Sequence, residues 1–244
     1  MPKIEVDIKQ LFAAGAHFGH KTSRWHPKMA PYIHSKREGS HIIDLAKTVV
    51  NLQDALALIE KTVSEGKSVL LVGTKKQAKP IVVKLAEETG MPFVAQRWVG
   101  GMLTNRNTID GRIKHLKNLE QKQESGEIAS KYNKLEQQRY QEEIDYMNNM
   151  YSGIKNMAGR PALMFVFDIL HDANAVREAK KLNIPVVALV DTNADPSLIN
   201  HPIPCNDDAT KTLQLIADYL KQAVINGKAK VKSETPKEPA KKSE

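Results

Sequence analysis

Cysteine is nearly absent from this chain. Cys205 is the only one in 244 residues, so no disulfide can staple the fold and no second thiol can complete a zinc knuckle. That excludes the small disulfide-bonded secreted scaffolds and fits a reducing compartment, the cytosol. Long apolar runs are missing as well. The longest, Ala162–Phe167 and Val186–Val190, fall far short of the ~20 residues a bilayer span requires. The opening stretch MPKIEVDIKQ has no apolar signal core, so neither secretion nor membrane insertion is expected. No serine, cysteine or histidine stands in a recognisable nucleophile arrangement. The turn Gly73-Thr74-Lys75-Lys76 lacks the second glycine and the Lys-Ser/Thr ending of a Walker loop, and it is not the Gly-x-Gly-x-x-Gly of dinucleotide folds. The last absence is local: from Gly19 to Arg37 there is not one acid.

What fills that stretch, GHKTSRWHPKMAPYIHSKR, is Lys21, Arg24, Lys28, Lys36 and Arg37 around Trp25 and Tyr32. Cations beside flat rings are what RNA phosphates and unstacked bases require. Five of the eight histidines, His17, His20, His26, His34 and His41, lie in or next to it, adding ring donors that can gain charge near phosphate. Read as a solvated basic loop the segment would need no ligand; read with its rings it is a nucleic-acid contact surface. Over the whole chain Lys and Arg outnumber Asp and Glu by 36 to 28, a net charge of +8 and a pI near 9.4. This biases the protein toward polyanions without naming one. From Gly227 to Glu244 six lysines, three glutamates and two prolines stand with almost nothing apolar, a composition that predicts a disordered tail over 227–244.

Apolar runs at Ser68–Val72, Pro92–Ala95, Ala162–Phe167, Pro185–Val190 and Ile203–Cys205 read as buried parallel strands. Helix patterns at Gln77–Thr89, Ala173–Leu182 and Asp208–Asn226 separate or follow them, and the alternation predicts an α/β domain with a parallel sheet covered on both faces. An earlier helix is expected at about 45–65, and YIHSKREGSHII reads as a small β-hairpin turning at Glu38-Gly39. Residues 107–156 interrupt the alternation. There Tyr140, Ile144, Met147, Tyr151 and Ile154 are spaced four, three, four, three, with Ile109, Ile113 and Leu116 opposite and a turn at Glu124–Glu127. That is a coiled-coil seam, and the region is expected to form a helical hairpin protruding from a sheet domain made of 1–106 and 157–226.

Several positions look chemical. Lys75 and Lys76 open a helix after the first sheet strand, where backbone amides can hold phosphate, and are read as RNA-backbone contacts. Asp168 and Asp191 end two strands, with Asp195, Asp207 and Asp208 nearby, at the edge where α/β enzymes keep acidic ligands. A magnesium-dependent phosphoryl-transfer site is one reading of them; helix caps and turn starters are the other. His17 and His20 could join one of these aspartates around a metal, though two histidines and a distant carboxylate are a thin basis for zinc. In Gln96–Asn105, Arg97, Trp98 and Asn105 offer a cation, a stacking face and an amide, while Gly100-Gly101 lets backbone approach a ligand closely; the other reading is a plain turn at Gly100-Gly101 with Trp98 in the core.

Taken in order, His17-Phe18-Gly19-His20, Arg24–Met29, His41–Leu45, Gly73–Ala78, Arg97–Asn105, Ile184–Ala188 and Asp191–Pro196 resemble the bacterial family of the second protein of the small ribosomal subunit. The resemblance runs from the N-terminus to about Asn226 and leaves out the basic tail. His26 stands where that family commonly has Asn, Arg106 where it has an aromatic, and Cys205 where it has Gly. The family implies a flavodoxin-like parallel sheet of five strands with a protruding helical hairpin. It also implies a non-catalytic, architectural role between the head and body of the subunit, without cofactor or metal. The implied partners are small-subunit (16S) ribosomal RNA, neighbouring subunit proteins and, in many bacteria, the large messenger-capturing protein. The implied place is the ribosome, in the cytoplasm. The expected RNA-binding set is then Lys21, Arg24, Trp25, His26, Lys28, Lys36, Arg37, Lys75, Lys76, Arg97, Trp98, Gly100, Gly101, Asn105 and Arg106. Two other readings stay open at this level: an α/β enzyme acting on a phosphorylated substrate through the acidic edge, and an RNA-binding protein acting off the ribosome.

Overall fold

The three central strands of the main sheet are apolar and buried at every position because both of their faces are covered. In the computed structural model of the chain, which describes residues 4–234, five strands form this sheet: β4 (Val69–Val72), β5 (Phe93–Val94), β6 (Leu163–Val166), β7 (Val186–Val190) and β8 (His201–Pro204). All pairs are parallel. The spatial order is β5-β4-β6-β7-β8, which counted from β4 is the 2-1-3-4-5 order of flavodoxin-like sheets. The expected α/β class and strand number are those observed. The extents differ at the ends, in the two outer strands as follows. The Pro92–Ala95 run is reduced to the two residues of β5, and the Ile203–Cys205 run begins earlier, at His201. Pro202 and Pro204 are tolerated there because β8 is an edge strand, with nothing to pair on its far side.

Alternate residues of each strand enter two separate cores. Val69, Leu71, Leu163, Phe165, Val187, Leu189 and Ile203 pack with helices α1 (Ile8–Ala14), α2 (Leu45–Ser64), α3 (Lys79–Thr89) and α8 (Thr210–Glu234). Leu70, Val72, Met164, Val166, Val186, Ala188 and Val190 face the other way. They meet α7 (Ala173–Lys181), the Trp98–Leu103 loop, and the helices α4 (Arg106–Glu124) and α6 (Lys134–Tyr151). Helix α8 runs on through Gly227 to Glu234. The expectation of a disordered tail is therefore corrected over 227–234, where Gly227 packs directly on Glu60 and Val63 of α2; the remainder, 235–244, lies outside the described residues. Among the described residues no helix is long and apolar enough to cross a membrane.

The expected helical pair is α4 and α6, joined through Gly126 and the short α5 (Glu127–Lys131). Ile109, Ile113, Leu116 and Leu119 bury against Ile144, Met147 and Tyr151, the seam read from their spacing, whereas Tyr140 is only half-buried. Asn133 and Glu136 close a capping box at the start of α6. The seam is continuous with the second core, so the inner end of the pair is anchored on the sheet.

A second, small antiparallel sheet comes from the N-terminal segment: β1 (Phe18–Lys21), β2 (Ile33–Arg37) and β3 (Ser40–Ile43), in the order β1-β3-β2. Glu38 and Gly39 make the expected turn, both with positive φ. In register, Lys21 and Arg37 flank Ser40 from either side, so two cations stand in one cross-strand row.

Candidate functional site

Parallel topology puts every turn after a strand at the same edge of the sheet, and the candidate cations follow from it. Lys75 and Lys76 come after β4 and Arg97 after β5. The N-terminal sheet is seated beyond β7 and β8. Its seat is built of backbone groups and one side-chain hydroxyl: His20 N–H donates to Thr192 Oγ1 (2.9 Å), His26 N–H to the Thr192 carbonyl (2.7 Å) and Asn206 N–H to the Ala16 carbonyl (3.1 Å). The His20 ring adds a clamp, with Nδ1 3.0 Å from Asp191 Oδ2 and Nε2 3.5 Å from Asp208 Oδ2. The hydrogen bond to Asp191, against the opposing effect of burial, holds the His20 pKa above its ordinary value.

Lys75 does not stand free. Its Nζ is 2.9 Å from Asp168 Oδ2, 2.8 Å from Asp207 Oδ1 and 2.8 Å from Asp208 Oδ1, and its side chain is only 17% exposed. Burial alone would lower its pKa, yet the hydrogen bonds to Asp207 and Asp208 hold it well above that of an ordinary lysine. Lys75, read from the sequence as an RNA-backbone contact, is thus engaged by three carboxylates of its own chain. The turn itself is closed in the same way. Thr74 N–H (3.1 Å) and Oγ1 (2.6 Å) both donate to the Asp172 carboxylate, which takes the Thr74 amide for the protein itself; burial raises the pKa of that carboxyl. Gly73 is explained by packing. A Cβ there would lie 2.7 Å from Val82 Cγ2 and 3.2 Å from Ala78 Cβ, so the glycine lets α3 close on the strand.

The acidic edge is thus a structural knot of Asp168, Asp191, Asp207 and Asp208 around Lys75 and His20. Burial first, and then the charges of Asp168 and Asp191, push the Asp207 pKa up to about 7. Between the ordinary carboxylate range and that value the folded chain binds more protons than the unfolded one, so Asp207 makes stability fall as pH rises. His20, raised as well, acts in the same direction; the buried rings of His17 and His41, whose pKa values are lowered, act in the opposite one. A comparison of wild type with Asp207→Asn isolates the first contribution. Melting curves at pH about 6 and about 8 should show wild type losing on the order of 1 kcal/mol more than the variant over that interval; parallel curves would show that Asp207 does not titrate there. Among the described residues no group of three or more His, Cys, Asp or Glu is disposed to hold a metal ion.

Sequence reading missed the residue that organises the glycine loop. Glu178 on α7 accepts from Trp98 Nε1 (3.0 Å), Gly101 N–H (2.7 Å), Leu103 N–H (3.0 Å), and Thr104 N–H and Oγ1 (both 3.1 Å). Burial would raise its pKa, but these donors outweigh burial and hold it below the usual carboxylate value. No local pattern points to Glu178, since its partners lie some seventy-five positions earlier in the chain; an acid on the inward face of a short helix is the one available signal. Trp98, read from the sequence as a stacking face or as core, is 7% exposed and packs in the second core. Gly101, with φ of 91°, is held by its own N–H on Glu178.

The other expected RNA-binding residues separate into groups. Lys21, Arg24, Lys36, Lys76 and Arg97 are exposed, and their side chains make no ion pair or hydrogen bond among the described residues. Gly100 and Asn105 are exposed beside them in sequence to Arg97. Lys28 is exposed but bonds Asp195 (2.8 Å) and Ser197 (2.7 Å), and Arg37 lies 3.7 Å from Glu38. Trp25 is 37% exposed, its ring 5.3 Å from that of buried His41. His26 accepts at Nδ1 from Lys28 N–H (3.3 Å) and caps a short 3-10 turn. Arg106 is drawn inward, with Nε on Asp110 (2.8 Å) and Nη2 on the Met157 carbonyl (3.0 Å), so its part is to tie the root of α4 to the segment after α6.

The carboxylates of the acidic edge are therefore engaged with Lys75 and His20, and the Thr74 amide of the turn with Asp172, while exposed cations remain around it. The sequence model of ribosomal protein S2 matches residues 11–227. Proteins named small ribosomal subunit protein uS2 are similar over most of their length. That of Coprothermobacter proteolyticus is 48% identical over 91% of this chain and 83% of the relative. That of Chlamydia muridarum is 47% identical over 92% and 79%. That of Dehalococcoides mccartyi is 47% identical over 93% and 92%. With the family matched from α1 into α8 across the whole five-stranded sheet, the chain belongs to the ribosomal protein S2 family, structural and non-enzymatic components of the small ribosomal subunit.

Proposed function

We propose that the chain binds small-subunit ribosomal RNA through the carboxyl edge of its sheet, on the ribosome in the cytoplasm, and holds RNA helices between head and body at a fixed spacing. The observation that carries this reading is the set of exposed cations without protein partners, Lys21, Arg24 and Lys36 on the N-terminal sheet and Lys76 and Arg97 after β4 and β5. A cation that the protein leaves unpaired is best neutralised by phosphate, with release of counterions. The rigid seat on Thr192 and the His20 clamp keep the two cation groups at a constant separation. Trp25, His26, Lys28, Arg37, Gly100 and Asn105 complete the face, and Gly101, Trp98, Lys75 and Arg106 support it from within. The α4–α6 pair is the arm of residues 107–156, reaching neighbouring subunit proteins, among them the large messenger-capturing protein.

Replacing Lys21, Arg24 and Lys36 together by Gln tests the proposal. Binding isotherms on a small-subunit rRNA transcript at several salt concentrations should show weaker binding and a flatter dependence of log K on log salt, by up to about 0.9 per lost phosphate contact. The melting temperature should stay near that of wild type, because none of the three is buried. An unchanged slope would remove the N-terminal sheet from the interface.

A further inference from the structure

Between the Gly100 turn and the helical pair lies a crevice of about 390 Å³, bounded by the glycine loop on one side and by α4 and α6 on the other. Its floor is apolar, made of buried Ile109, Met147 and Tyr151. Its rim carries Tyr146, a tyrosine 62% exposed although it neighbours a packed seam, together with Arg112, Asn105 and Glu143. Each rim group has unused capacity. Thr108 Oγ1 donates to Asn105 Oδ1 (3.0 Å), which orients the amide and leaves its NH₂ to donate outward. Arg112 makes no ion pair or side-chain hydrogen bond among the described residues, and Glu143 engages His115 through Oε1 (3.1 Å), leaving Oε2 as an acceptor.

We propose that this crevice is a pocket for a single unpaired nucleobase of the RNA, a proposal that rests on the RNA-binding reading above and assigns it a site on the helical pair. A dry floor with a flat ring and a few polar groups at the rim is how proteins take up splayed bases. Tyr146 supplies the stacking face. Asn105 and Glu143, a donor and an acceptor, read the edge of the base, and a carboxylate acceptor favours a base with an exocyclic amine. Arg112 takes the adjoining phosphate. A protein side chain could fill the same volume, but an unpaired arginine beside an open ring and an amide donor matches a nucleotide, which offers anion, ring and polar edge together.

The test uses the full chain and an unmodified small-subunit rRNA transcript, cross-linked with short-wavelength ultraviolet light, which samples every base. Tyr146→Ala should weaken binding roughly tenfold with the salt slope unchanged, as loss of one stacked base requires, while Tyr146→Phe should bind as wild type. Arg112→Gln should lower the slope by about 0.7 to 0.9. Photo-cross-links should map to the peptide holding Tyr146. If wild type binds the transcript but Tyr146→Ala binds equally well, the pocket is overturned and the broader RNA role stands; if wild type does not bind, both fall. If Tyr146→Ala keeps its RNA affinity yet no longer enters subunits, the crevice belongs to a protein neighbour and the proposal is overturned.

Discussion

Lys75→Met should lose about 3 to 5 kcal/mol of stability at neutral pH, the cost of leaving buried carboxylates without their cation. Asp168 and Asp207 are nearly inaccessible, at 8% and 4% side-chain exposure, so water cannot replace the ammonium. A change of that size lowers the melting temperature of a chain this long by roughly 6 to 20 °C. The sign of the pH dependence follows. Burial already holds the Asp207 carboxyl above its ordinary value, and without Lys75 it loses a cation that lowers it, so protonation relieves it and the gap to wild type should narrow as pH is lowered toward about 5. Melting curves of both proteins at two pH values measure this. A Lys75→Met protein that melts with wild type at neutral pH would show that the ammonium is free for another partner, and the RNA-backbone role would have to be restored to it.

For Glu178→Ala the expected loss is about 2 to 4 kcal/mol, and it should be concentrated in one loop. Four neighbouring residues donate five hydrogen bonds to that carboxylate, and bonds to a charged acceptor are worth about 1.5 to 3 kcal/mol each, far from additively. Hydrogen exchange should show lost protection at the amides of Gly101, Leu103 and Thr104, while β4 and β6 remain protected, and Trp98 fluorescence should shift to the red as its indole loses its partner. Glu178→Gln should be intermediate, since one carbonyl oxygen can satisfy only part of the set. Unchanged exchange at Gly101 and Leu103 would show that the loop holds its shape without the carboxylate. Because Gly100 and Asn105 flank these bonds, loss of the loop should also weaken the nucleobase crevice.

Much of the fold was legible because its signals are local. Strands buried on both faces must be apolar at every position, and Leu163–Val166 and Val186–Val190 are. The seam of α4 and α6 repeats at helical spacing, so Ile113, Ile144 and Met147 could be paired before any coordinates. The tail misled for the reverse reason. Its charge hid the few residues, Gly227 among them, that let α8 continue along α2.

The site was legible only in part. Residue type and clustering marked Lys21, Arg24, Lys36 and Arg97 as cations available to a polyanion, and they are exposed and unpaired among the described residues. The same reasoning placed Lys75, Trp98 and Arg106 with them, and tertiary contacts took all three inward. By itself, then, the sequence determined the α/β class, the helical pair, the basic ring-bearing segment and the family, because composition, periodicity and ordered motifs need no distant partner to be read. Only the tertiary structure decided which charges are spent. Whether a lysine faces phosphate or three aspartates depends on residues nearly a hundred or more positions away, and whether an acid is a ligand or a staple, as for Glu178, depends on which backbone amides the sheet topology brings to it. The energy of a charge is set by the groups within a few ångströms of it, and the chain order does not specify those neighbours until the sheet has closed.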